Sequence, residues 1–298
     1  MIGWDYGNAR VGALRSRLLT DVQLRRLGDA GSPEAVVSFL ASHDDWRAFV
    51  APSTGEPQGA ESGGRLLLDD AVEHHRSARL GMLLRWYEPP ARSLVEAVVM
   101  PLDLERVLAL LRRRRRTATG EGRPGGRIVP GALLSTRALD QLASAATDAD
   151  MLRDLGRFGV IARRDALALA GRASGATPPE DLEARLCDAW TRARRARAPG
   201  DGDQDVLLRQ EIDREEADRA TVRAALASGG ADEAWRAERR VVLDRRARLN
   251  RRARRDPLGI APLLGYRAAL ELQAFQLRAA AAVMPGAPGV PDPLRDGR

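Results

Sequence analysis

The densest grouping of reactive side chains in this sequence is Asp69-Asp70-Ala71-Val72-Glu73-His74-His75. On a helix, Asp70 and His74 stand four residues apart on one face, as do Asp69 and Glu73. Di-metal helix bundles and prenyl-pyrophosphate enzymes use carboxylates at such spacing, but both need a second acidic helix opposite. No other stretch repeats the pattern, so the sequence predicts a solvated helical face and no metal. His43-Asp44-Asp45-Trp46 is a smaller candidate. It has no second His or Cys at ligand spacing and reads as a solvated helix end. Cys187 is the single cysteine, which excludes an intrachain disulfide and a CxxC zinc site.

Charge supplies the remaining candidates. The chain carries 48 basic and 41 acidic residues, a net charge of +7, and every basic residue is arginine. Without lysine there is no P-loop and no Schiff-base nucleophile. Arg112, Arg113, Arg114, Arg115 and Arg116 form an unbroken run at a helix end. Such a run complements the helix dipole, and it also suits docking on acidic partner loops or lipid headgroups. Near the C-terminus, Arg267, Glu271 and Arg278 place one carboxylate between two guanidiniums along a helix. These three are candidates for a structural ion pair, either exposed within the helix or partly buried with Arg106, Arg112 or Arg223 as partners from elsewhere.

The elements that must hold these residues are helices. Ala, Leu, Arg and Glu dominate, and runs of β-branched or aromatic residues with period two are missing, so the fold class is all-α. Asp256-Pro257 is a helix-start signal, and Pro262 confines the regular helix to about 262–283. Leu263, Tyr266, Leu270, Ala274, Leu277 and Ala281 form its apolar stripe. Further helices are expected after the opening Tyr6-Gly7-Asn8-Ala9-Arg10-Val11 and up to about Leu19, from the capping box Thr20-Asp21-Val22-Gln23, and from Ser32-Pro33 to about Ser42. Longer ones follow at 65–88, at 91–116 with a kink at Pro101, and at 178–198, 204–227 and 231–255. Short helices fill 136–172. Residues 51–64 and 117–126 read as flexible loops, and 285–298 as a flexible tail. No apolar run approaches the ~18 residues of a membrane span, and Asp5, Arg10 and Arg15 interrupt any signal peptide.

Several of these stretches resemble one family. Asp256-Pro257-Leu258-Gly259, Tyr266, Glu271 and Arg278 are similar to the C-terminal helix of the C/d-type stalk subunits of vacuolar/archaeal-type rotary ATPases. Ala268-Ala269 stand where that family has Lys-Glu. Tyr6-Gly7-Asn8-Ala9-Arg10-Val11 resembles its N-terminal Tyr-x-Asn-Ala-Arg-Val, with Leu18-Leu19 closing the helix. Asp103 to Arg112 resembles its Asp-Leu-Glu-Asn signature, with Arg106 in place of the Asn. Ile128 to Ser135 resembles its apolar-Pro-Gly connector and Ser cap.

The resemblance implies a single domain over 1–298, built as three pseudo-repeated helical subdomains in a funnel around a pseudo-threefold axis. The helix pairs fall at 65–116, 178–227 and 231–283. Asp103, Val107, Ala109 and Leu111 match Asp218, Val222, Ala224 and Leu226 at identical spacing. Only Ser228-Gly229-Gly230 separates the second pair from the third, so the third repeat is shortened. By resemblance the chain is non-catalytic, takes no cofactor, and sits peripherally on the cytoplasmic face of the membrane. Its partners are the central shaft and the rotor-ring proteolipids, and it couples ATP turnover to proton or sodium movement. The alternative from composition is an Arg-rich α-helical nucleic-acid-binding regulator. Few aromatics and basic residues spread throughout argue against it.

Overall fold

A computed structural model of the chain describes residues 4–28, 32–50, 60–118, 131–174 and 178–282. Among them every regular element is helical. The tail at 285–298 and most of the two predicted loops lie outside the described residues. In order, the helices are α1 Asp5–Arg15, α2 Asp21–Gly28, α3 Pro33–Ala41, α4 Asp44–Val50, α5 Ala60–Leu83 and α6 Ala91–Ala118. Then come α7 Thr136–Ser144, α8 Asp148–Arg157, α9 Arg163–Ala173, α10 Pro179–Arg195, α11 Asp203–Arg255 and α12 Ala261–Ala282.

Local signals set most starts. The capping box closes reciprocally: Gln23 N–H donates to Thr20 Oγ1 at 3.3 Å and Thr20 N–H to Gln23 Oε1 at 2.8 Å. The side chains of Ser32, Ser135 and Thr147 accept from the N–H groups of Ala35, Ala138 and Asp150. Some boundaries differ from the sequence reading. Asp44-Asp45-Trp46 opens α4 instead of ending α3, because two carboxylates suit a first turn. Helix α5 begins at Ala60, inside the expected loop, and stops at Leu83. Its end tightens through Arg85 N–H to Met82 O and Trp86 N–H to Leu83 O, before Pro89 forces the chain out.

Two compact units share the chain. One comprises residues up to Arg79 together with those from Glu215 onward; the other is Leu80–Arg214. In the first, α1, α2 and α3 pack on α12. Leu19, Leu24, Leu40, Trp46 and Val72 are buried with Ala274 and Leu277 of α12. Helix α12 is not amphipathic as its stripe suggested: every residue from Ala261 to Leu270 is buried, Arg267 included. In the second unit, α6 and α10 enclose Trp190, which is fully buried, and α7 to α9 complete the core.

Helix α11 is not one rod. Gly230 has φ 73° and ψ −161°, outside helical space and open only to glycine without strain. Arg245 Nη2 lies 2.8 Å from Asp218 Oδ2. On a straight helix, 27 residues would separate the two by about 40 Å. The chain therefore folds back at Gly230 into a helical hairpin, at the Ser-Gly-Gly turn that the sequence marked.

Candidate functional site

The acidic cluster on α5 is not a solvated face. Glu73 is 8% exposed and His75 1% exposed, because Leu68, Val72 and His75 follow the same helical stripe into the core. Asp69, Asp70 and His74 are half-buried at its edge. His75 Nε2 lies 2.9 Å from Asp45 Oδ2, and its ring stacks on Trp46 with centroids 3.9 Å apart. Arg79 pairs with the same carboxylate. Burial pushes the His75 imidazole below its ordinary pKa despite the hydrogen bond with Asp45. Among the described residues, no group of three His, Cys, Asp or Glu side chains is placed to hold a metal ion.

Glu73 instead carries charge from α12. It accepts from Arg76 Nη1 at 3.0 Å and pairs with Arg278, which also lies 3.7 Å from Asp69. The acidic cluster and Arg278, two separate candidates in the sequence, are brought together here.

Arg267 and Glu271 belong to a denser network. Arg267 donates through Nε to Glu271 Oε1 at 2.7 Å and through Nη1 to Glu215 Oε1 at 2.9 Å. Glu271 Oε2 accepts from Arg245 Nη1 at 3.0 Å, and Arg245 also holds Asp218. The Arg267 and Glu215 side chains are 6% and 3% exposed, so this is interior charge. Burial alone would raise the Glu271 carboxyl, but Arg267 and Arg245 outweigh it and hold it below the usual range. The pairing partners are thus Arg245 and Glu215, in place of Arg106, Arg112 or Arg223. Arg112 pairs with Glu183.

The arginine run is partly engaged within the chain. Arg112 grips Glu183 through Nε and Nη2, at 3.0 and 2.6 Å. Arg114 binds Asp148 and the carbonyls of Ala143 and Ala145, and Arg115 lies within 3.6 Å of both Asp148 and Glu183. These contacts tie the end of α6 to α8 and α10.

Two further sites join motifs far apart in sequence. Asn8 Nδ2 donates to Gly259 O at 2.9 Å and to Pro257 O at 3.2 Å, so the N-terminal motif clamps the Asp-Pro-Leu-Gly loop. Leu19 N–H donates to Gln273 Oε1 at 2.9 Å in the same unit. Asp103, fully buried, accepts from Leu134 N–H at 2.9 Å and from Leu133 N–H at 3.0 Å. A Cβ on Gly131 would stand 1.9 Å from Asp103 Oδ1, so only glycine fits that connector. Sequence reasoning does not single out Asn8, Asp103, Glu215, Asp218 or Arg245 as site residues, because each acts on a partner distant in the chain.

The family model described as ATP synthase (C/AC39) subunit matches residues 7–244. The chain belongs to this family. It is a C/d-type subunit of the rotary V/A-type ATPases, and the C/AC39 subunits are in general non-catalytic members of the complex. The match takes in Asn8, Asp103 and the Gly131 connector, and ends short of the Asp256 motif. No curated protein matches the chain. Among the described residues, no helix is long and apolar enough to cross a membrane.

Proposed function

We propose that this C/AC39 subunit is the central-stalk adaptor of its ATPase, linking the shaft to the membrane rotor ring. In this reading it has no catalysis of its own, lies peripherally on the cytoplasmic face, and turns with shaft and ring proteolipids. It couples ATP turnover to proton or sodium translocation. The three helix pairs act as subdomains around a pseudo-threefold axis. The Arg112–Arg116 run docks on acidic loops of a partner, while its internal pairs keep α6 fixed.

The observation that supports this most is the clamp between the N-terminal and C-terminal motifs, Asn8 on the carbonyls of Pro257 and Gly259. An adaptor under rotational load must resist fraying, and dense helical cores transmit force with little compression. Co-purification with tagged shaft and ring subunits tests the reading. Retention by both is expected. Failure with either, or micromolar nucleotide binding in calorimetry, would overturn it.

A further inference from the structure

The second arm of α11 carries unneutralised charge on one face. At 100° per residue, Arg236, Arg240, Arg251, Arg254 and Arg255 fall within about 100° of the helix circumference, over about 28 Å of axis. All five are exposed, and none forms an ion pair among the described residues. Between Arg236 and Arg255, Asp244 is the one acidic residue in that sector, and Glu233 lies in phase one turn before Arg236. Charge is crowded here. Burial and then the like charges of Arg246 and Arg254 hold Arg15 of α1 below the usual guanidinium range.

Exposed apolar side chains accompany the stripe. Leu243, about 20° beyond its edge on the helix, is 40% exposed, and Leu258, in the turn just past the helix end, is 61% exposed. We propose that this arginine stripe and its two leucines form a site that adsorbs to anionic phospholipid headgroups. The chemistry is that of an interfacial helix: guanidiniums meet lipid phosphates in forked hydrogen bonds while leucines enter the acyl boundary. A nucleic acid would use the same charge but gains nothing from exposed leucines in water. The sector also offers no aromatic ring on which a base could stack. The site rests on this face alone and does not depend on how the adaptor meets shaft or ring.

The experiment is co-sedimentation of the full chain with phosphatidylcholine vesicles, with and without phosphatidylglycerol. Binding is expected only with phosphatidylglycerol, and it should weaken as salt rises. The combined Arg240→Gln, Arg251→Gln and Arg255→Gln variant should bind roughly 100-fold more weakly, at about fivefold per arginine. Leu258→Ser alone should lose about tenfold while leaving the charge intact. Arg25→Gln with Arg26→Gln, an exposed basic pair on α2, should stay within about twofold of the parent because it lies off the stripe. The stripe residues form no ion pair, so their variants should melt with the parent. Three outcomes overturn the site: equal binding to vesicles lacking phosphatidylglycerol, parent-like binding by the stripe variant, or capture by a DNA duplex or polyglutamate without capture by vesicles.

Discussion

Arg194 makes the hydrogen bond that Pro101 cannot. Pro101 sits inside α6 without an N–H, which leaves the Ala97 carbonyl, its i−4 acceptor, without a helical donor. Arg194 Nε reaches that oxygen at 2.9 Å from α10, with the side chain 1% exposed. Trp190, one turn earlier, donates to Met100 O at 3.0 Å. The hydrogen bond missing at Pro101 in α6 is thereby replaced by a donor from a neighbouring helix, with Trp190 adding a second contact to the same turn.

Arg194→Met should therefore cost about 2–3 kcal/mol, since it strands a buried carbonyl. In a Pro101→Ala background the helix regains its own N–H, and the same change should cost about 1 kcal/mol less. A double-mutant cycle by urea unfolding measures this. Equal costs in both backgrounds would show that Arg194 acts only through packing.

Glu271→Gln tests the interior network. Removing one member of a buried pair costs roughly 3–5 kcal/mol, and the low end is expected here because Arg267 keeps Glu215 and Arg245 keeps Asp218. The loss should depend on pH. The folded-state carboxyl is held below its ordinary 4.5, so its contribution is full above that value and fades as pH falls through the folded pKa. Melting curves at neutral pH and below pH 4.5 should show the gap between parent and variant closing. A gap that stays constant would remove the electrostatic account.

Asp103 gives the opposite sign. Burial pushes its carboxyl from 3.8 up to about 6, against the hydrogen bonds from Leu134 and Leu133. A raised folded pKa adds stability below 3.8 that is lost as pH rises through 6, about 3 kcal/mol in all. Relative to Asp103→Asn, the parent should be more stable near pH ~4 than near pH ~7 by about that amount. Unfolding titrations at the two values decide it.

Asn8→Ala should cost about 1–3 kcal/mol, because two carbonyls lose their donor at once. Amide exchange should quicken selectively around Leu258 to Ile260 and at the start of α12. Uniform acceleration across the chain would mean that Asn8 stabilises the unit as a whole and does not clamp that loop.

Signals that act within a few residues can be read from the sequence: the Thr20–Gln23 box, the Ser135 cap, the turn at Gly230 and the start of α12. Long-range neighbours cannot. Periodicity places Glu271 on a face of α12 but does not say which helix lies there, so Arg245 is not among its expected partners. The 69–75 cluster is misjudged for a related reason. Spacing weighs its polar residues against one another, whereas the deciding signal is Leu68 and Val72 running in phase with His75. Arg194 gives no local signal, since a buried arginine on α10 looks like any other in a sequence rich in them.

The α11 hairpin has a consequence for how this chain tolerates change in length. Between Glu215 and Leu249 no residue is buried, and the arms are pinned chiefly by Asp218 with Arg245 and by Trp235 stacked on Phe275 at 4.2 Å. Matched deletions taken from both arms, between these pins and the turn at Gly230, would remove no interior surface. The length of the hairpin tip is therefore free to drift with whatever it meets, while the pins hold the rest of the hairpin to α12.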